Sequence, residues 1–269
     1  MTSTLQFKNV SFTYPDKEDF VFSNLDITLP RGVTSLIGQN GVGKSTFMLL
    51  GAGRLLPTTG DIFVLGHNTK DMTDEVQKNL LVSFVYQNME FETEDNFGDL
   101  LPFVYDSGNK ISPYDDIRNA IVKNFELEKT LSKKTQHMSK GELQRAVMAF
   151  SLLYGSPIVM MDEPVFALEE EQKHHSLGFI KEYAMQKDIS VFYSIHELEL
   201  SQKYSDNIGL FFKDRHIEVG STDSLYNKEK IEEAYQVPFV LLHKKESIFR
   251  EQLKGDELSE EMKDYLRKN

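Results

Sequence analysis

The chain has 269 residues, with 42 acidic and 30 basic side chains, a formal net charge of −12, and no cysteine. With 40% hydrophobic and 27% charged residues it has an ordinary globular composition, neither disordered nor fibrous, and room for one large domain or two small ones. The acidic balance argues against general nucleic-acid binding, and the missing cysteine excludes a disulfide scaffold, thiolate metal sites and a cysteine nucleophile.

The first seven residues lack a cationic region followed by an apolar core, so no signal peptide is expected there. Leu5, Phe7, Val10, Phe12 and Tyr14 then suggest extended chain, and residues 21–29 continue it, with Leu25, Ile27 and Leu29 alternating against Asp26 and Thr28. Pro30-Arg31-Gly32 turns the chain, and residues 61–65 form another short strand closed by Gly66. Four apolar runs, at residues 33–37, 82–86, 158–161 and 189–195, are short enough to be central strands buried on both faces. They end at Gly38, Gln87, Asp162 and His196. Parallel α/β sheets bind ligands beyond the carboxyl ends of their strands, so these endings imply one shared site if the four strands lie side by side.

A helical lobe is expected at about residues 90–155. The longest weakly polar run, residues 146–161, is interrupted by Ser151, Gly155, Ser156 and Pro157 and falls short of the roughly 18–20 apolar residues of a membrane span. The chain is expected to serve a bilayer, if at all, from the water side. A short strand around residues 208–212 follows. The expected division is a domain at 1–228 and an acidic C-terminal tail at 229–269, whose last part, 256–269, reads as a surface helix or as partly disordered chain.

The sequence Gly38-Gln39-Asn40-Gly41-Val42-Gly43-Lys44-Ser45-Thr46 lies between a predicted strand and a predicted helix. This is G-x-x-x-x-G-K-S in the context the pattern requires; a chance match in such a chain is on the order of 1 in 100. Its glycines let backbone N–H groups curl inward around phosphate oxygens, and the helix N-terminus adds partial positive charge. Lys44 reaches the outer phosphates and the Ser45 hydroxyl can ligate Mg²⁺. At 158–161 an apolar strand runs into Asp162-Glu163-Pro164. On its own this dipeptide is as readily a solvated acidic turn. Downstream of a phosphate loop, Asp162 is placed to hold Mg²⁺ and Glu163 to polarise an attacking water.

Met138-Ser139-Lys140-Gly141-Glu142-Leu143-Gln144-Arg145 precedes that strand, Gln87 lies between it and the phosphate loop, and His196 follows the next strand. The ordered set resembles the ATP-binding cassette (ABC) ATPases over most of the chain. The resemblance implies an α/β fold: a P-loop NTPase core with a central, mostly parallel sheet, an N-terminal antiparallel β-subdomain and an inserted α-helical subdomain. It makes Tyr14 the adenine-stacking aromatic, residues 38–46 the Walker A loop and Gln87 the Q-loop glutamine, which touches metal or water. Residues 139–142 become the signature, 158–163 Walker B, Ala167-Leu168-Glu169 the D-loop and His196 the switch histidine. It also implies Mg·ATP hydrolysis with Glu163 as base, in a head-to-tail homodimer where Ser139 and Gly141 of one chain meet the γ-phosphate bound by the other.

Ser139-x-x-Glu142 independently reads as a capping box opening a helix, with Leu143, Val147, Phe150 and Tyr154 at helical spacing. The segment departs from the usual Leu-Ser-Gly-Gly-Gln at Met138, Lys140 and Glu142; Phe166 stands for a small serine and Glu169 for an aspartate.

With no membrane span expected, a transport role needs separate permease subunits, and through them an extracytoplasmic binding protein. The implied location is cytoplasmic, at the inner face of the membrane. Residues 88–96, with Glu90, Glu92, Glu94 and Asp95, offer an acidic dock for basic permease loops, or a merely solvated loop. The segment from Gly220-Ser221-Thr222 through Ala234-Tyr235-Gln236-Val237-Pro238 resembles the end of importer ATPases for iron chelates, haem, cobalamin or metal ions. The alternatives are a soluble non-transport ABC ATPase and an ATP-gated structural dimer with weak hydrolysis. His67, His174 and His175 are expected to be surface residues.

Overall fold

The computed structural model describes residues 4–87, 89, 91 and 93–242. The tail residues beyond 242 and Asn88, Glu90 and Glu92 of the acidic loop lie outside them.

The alternating N-terminal segment forms β1 (Leu5–Phe12) and β2 (Phe22–Leu29), paired antiparallel with Leu5 opposite Leu29 and Phe12 opposite Phe22. After the turn come β3 (Val33–Ile37), α1 (Lys44–Gly51), β4 (Thr59–Val64) and β5 (His67–Asn68). Then follow α2 (Glu75–Leu81), β6 (Val82–Val85), α3 (Phe97–Ser107), α4 (Tyr114–Asn124), α5 (Lys140–Tyr154) and β7 (Ile158–Met161). The chain continues through α6 (Glu170–Lys187), β8 (Ser190–Ser194), α7 (Leu198–Tyr204), β9 (Asn207–Phe211), β10 (Ile217–Ser221), α8 (Thr222–Leu225) and α9 (Lys228–Tyr235).

One sheet runs β2-β1-β4-β5 and is antiparallel throughout. The other runs β10-β9-β3-β8-β7-β6, parallel except for the edge strand β10. The four apolar runs are therefore contiguous, in the order β3-β8-β7-β6, and being parallel they bring their carboxyl ends to one edge of the sheet. Every residue of β3, β7 and β8 is buried, which explains why these strands read as unbroken apolar runs rather than alternating ones. The run expected to reach residue 86 stops at Val85, because Tyr86 leaves the sheet and is exposed.

Between the sheets, Phe7 stacks on Phe47 at 4.4 Å, and Phe47 meets Phe211 edge-on at 5.4 Å. Phe47 is in the first turn of α1, so this packing fixes the helix that follows the phosphate loop. The helical lobe, α3 to α5, packs on the opposite side in a larger cluster with Ile37, Val85, Met161 and Ile195.

Helix α5 buries more than the expected stripe. Of Leu143, Val147, Phe150 and Tyr154 only Val147 is fully buried, whereas Ala146, Met148, Ala149, Leu152 and Leu153 are all inside. The helix is the centre of the lobe, covered by α3 and α4 and by strands β6 and β7. The boundary expected at residue 228 coincides with the first residue of α9, whose Ile231, Ala234 and Tyr235 are buried in the same core as β3 and β9. Among the described residues no helix is long and apolar enough to cross a membrane.

Candidate functional site

The phosphate loop leaves β3 at Gly38, where φ is +147° and an added Cβ would stand 2.5 Å from the Phe211 carbonyl oxygen. It ends at Gly43, the α1 N-cap, at φ 105° with no side-chain cap, so the first-turn N–H groups of α1 remain free for an anion. The Lys44 Nζ donates to the Gly38 and Gln39 carbonyls, at 2.9 Å each. Lys44 is buried, and desolvation lowers its pKa to about 8 against the opposing pull of Glu163 and Asp162. At the far end of the loop, the Tyr14 hydroxyl bonds Thr46 Oγ1 at 3.0 Å. The Tyr14 ring is 36% exposed and rests edge-on against Phe12, leaving surface for a flat ligand.

Asp162 follows β7 and is buried. Glu163 comes next at φ 49°, a left-handed conformation rarely adopted by a residue with a long side chain. Its carboxylate accepts from Gln87 Nε2 at 2.9 Å and from His196 Nε2 at 2.8 Å. Since an ionised carboxylate only accepts, His196 carries its proton on Nε2. The His196 hydrogen bond, against the opposing effect of burial, holds the Glu163 carboxyl below the usual range. Two of the strand-end side chains, Gln87 and His196, thus meet at Glu163, which follows the third ending, Asp162, and the fourth ending supplies the lysine loop.

The sequence reading missed Ser194. Its hydroxyl donates to Asp162 Oδ1 at 2.6 Å and accepts the Glu163 N–H at 2.8 Å. Strand register explains this: Met161 pairs with Tyr193, so the next residues, Asp162 and Ser194, emerge side by side. The available signal was a serine two places before His196, near the end of a mostly apolar run.

At the tip of α5 the capping box forms as expected: Ser139 Oγ accepts from the Glu142 N–H at 3.2 Å, and the Ser139 N–H donates to Glu142 Oε2 at 2.9 Å. Glu142 puts a negative charge in the first turn of α5. Lys133 compensates it, with Nζ 2.7 and 3.0 Å from the two oxygens, and is the main reason the Glu142 carboxyl titrates below its usual range. A Cβ at Gly141 would stand 3.1 Å from the Ala167 carbonyl oxygen, so the segment containing exposed Phe166 packs beside this tip. Ser139 and Lys140 are exposed, and none of the hydrogen bonds of Ser139 goes to the phosphate loop of its own chain. The intrachain fold therefore assembles one half of the expected site and leaves the other half facing outward.

The histidines do not converge: His174 Nδ1 bonds the Tyr204 hydroxyl at 2.8 Å, and His175 Nδ1 lies 3.3 Å from Glu126. In the acidic loop, Glu94 is ion-paired with Lys134, which removes part of the negative charge expected there.

A family model described as ABC transporter matches residues 22–166. The energy-coupling factor transporter ATP-binding protein EcfA1 of Mycoplasmopsis synoviae is 26% identical over 247 residues, covering 88% of this chain and 90% of that protein. Among solved structures, cbiO1 from Clostridium perfringens, part of the ABC transporter complex cbiONQ, aligns with a TM-score of 0.70 at 20% identity, covering 91% of this chain and all of that one. The ATP-binding cassette MJ0796, a dimer in a post-hydrolysis state bound to ADP and Pi, aligns with a TM-score of 0.70 at 20% identity over 81% of this chain and 98% of that one. At such identities the structural matches speak to the fold alone.

Proposed function

The chain belongs to the ABC transporter family as an ATP-binding, ATP-hydrolysing subunit, and from that premise we propose that two copies close head-to-tail on Mg·ATP to drive a separate membrane permease. The cargo we propose is a metal ion, a metal chelate, haem or cobalamin, imported with the help of an extracytoplasmic binding protein. The chain then works at the inner face of the membrane. One observation carries the reading. Lys44, Gln87, Asp162, Glu163 and His196 gather at adjacent strand ends, while the Ser139 tip is exposed and its capping bonds go to Glu142. EcfA1 and cbiO1, both parts of transporters by name, support the permease partnership.

In this mechanism Tyr14 stacks on adenine, and the amides of Asn40, Gly41, Val42, Gly43, Ser45 and Thr46 surround the phosphates. Lys44 exchanges its two loop carbonyls for oxygens of the β- and γ-phosphates. The hydroxyl of Ser45, the carboxylate of Asp162 and the amide oxygen of Gln87 are hard oxygen donors, the chemistry that suits Mg²⁺. Bound there, Mg²⁺ would neutralise charge developing on the transferred phosphoryl group. Glu163 takes the proton of the attacking water. Each of its oxygens already accepts one bond, from Gln87 and from His196, and keeps a second lone pair for the water, so the two partners orient the base. Ser139 and Gly141 of the second chain complete the cage, and Lys140 adds a cation beside it.

Ser194 orients Asp162 and the Glu163 backbone from behind. Ser194→Ala is expected to raise the Mg²⁺ concentration for half-maximal hydrolysis by about 10-fold or more. Binding of ATP without the metal should not change. Equal Mg²⁺ dependence in variant and parent would remove Ser194 from this role.

The transport reading is tested by affinity purification from detergent-solubilised membranes, followed by ATPase assay. A polytopic membrane protein should co-purify and alter the rate. A chain that hydrolyses ATP at full rate and brings down no membrane protein points instead to a soluble ATPase. A chain that dimerises on ATP yet barely turns over, alone or with the permease, points to a structural dimer.

A further inference from the structure

Helix α9 ends against the start of the phosphate loop. An α-helix leaves its last carbonyls without partners, and α9 stops where Gln236 turns left-handed at φ 53°. The Tyr235 carbonyl is among the last of α9, and it accepts from Gln39 Nε2. The hydroxyl of the same residue accepts the buried Gly38 N–H at 3.0 Å. Gly38 and Gln39 are the two residues whose carbonyls receive the Lys44 ammonium. One side chain and its own carbonyl thus hold, from behind, the backbone N–H of Gly38 and the side chain of Gln39, the two residues whose carbonyls receive the ammonium.

The grip is firmly founded. Ile231, Ala234 and Tyr235 are buried with Ile37 and Leu210, at the ends of β3 and β9. Lys213, just after β9, donates to Gln236 Oε1 at 3.2 Å. None of the roles assigned above uses Tyr235.

We propose that Tyr235 is a positioning residue for the nucleotide site, aligning Gly38 and Gln39 so that Lys44 stands ready for phosphate, which makes the segment beginning at α9 a determinant of nucleotide affinity. The proposal rests on the Mg·ATP reading. Losing a hydrogen bond that orders the loop should weaken binding more than it slows chemistry, because the groups that act on the attacking water, Glu163, Gln87 and His196, lie on other strand ends.

The test compares Tyr235→Phe with the parent chain, using Mg·ATP for kinetics and Mg·ADP for equilibrium binding. Phenylalanine keeps the buried ring and removes the hydroxyl that accepts the Gly38 N–H. The expected result is a KM for ATP and a Kd for Mg·ADP about 3- to 10-fold higher, with kcat within about twofold of the parent. Gln39→Ala, which removes the second link and leaves the core intact, should shift both in the same direction. Tyr183→Phe is the control. It deletes another buried hydroxyl, one that donates to the Leu152 carbonyl in the helical lobe, and should leave KM unchanged. A parent that binds Mg·ADP tightly beside a Tyr235→Phe variant of equal affinity would overturn the role of Tyr235 and leave the ATPase reading standing. So would a loss of affinity matched by Tyr183→Phe. A parent with no affinity for either nucleotide would overturn both.

Discussion

Glu163→Gln is expected to lower the rate of ATP hydrolysis by about 10²–10⁴-fold while Mg·ATP still binds. The side chain keeps its length, and its amide can still bond Gln87 and, after a flip, His196. What it loses is the negative charge that the His196 hydrogen bond keeps in place below the usual carboxylate range. An amide does not accept a proton from water at neutral pH, so binding and chemistry separate. Unable to turn over, the variant should accumulate as an ATP-bound dimer, visible as an earlier peak in gel filtration with Mg·ATP and absent with Mg·ADP. Hydrolysis at the parental rate would show that another group takes the proton. A monomer at saturating Mg·ATP would remove the support for a two-chain site.

The second large effect concerns Lys44. Lys44→Ala should weaken Mg·ATP binding by about 10²-fold, the loss of charge-assisted contacts to phosphate. The native lysine also predicts two pH dependences of opposite sign. Burial lowers its pKa from 10.5 to about 8. Below that value the ammonium is present in folded and unfolded chains alike, so the group adds no pH dependence and the cost of burying its charge is fully felt. Between about 8 and 10.5 the unfolded chain keeps a proton that the folded chain has released, and this group's contribution to stability rises with pH. Nucleotide binding requires the charged form and so should weaken over the same window, by up to about tenfold per pH unit. Titrating Mg·ATP affinity and the nucleotide-free melting temperature from pH 7 to about 10 separates the two. Both trends should vanish in Lys44→Ala. An affinity that stays flat through that range would mean the lysine remains charged in spite of its burial.

Both predictions concern residues that could be found in the sequence because their signals are local. A strand, a glycine loop and a helix in succession mark Lys44, and an apolar run ending in two carboxylates marks Glu163. The capping box of Ser139 and Glu142 needs only a spacing of three, and it forms as read. Where the reading of α5 fell short, in its expected stripe, the cause was tertiary: a helix enclosed by four neighbouring elements buries several faces and loses its amphipathic pattern.

What the sequence determined by itself, then, was the chemistry at each strand end and the kind of element carrying it, since both depend on residues within a few places of one another. Only the tertiary structure decided that β3, β8, β7 and β6 stand side by side, that Glu163 binds Gln87 and His196 together, and that Ser194 and Tyr235 belong to the site at all. Gly38 and Tyr235 are separated by 197 positions, and Asp162 and Ser194 by 32. Contacts over such distances are set by strand order and register, which follow from how the apolar faces of the whole chain pack, and no local spacing records them.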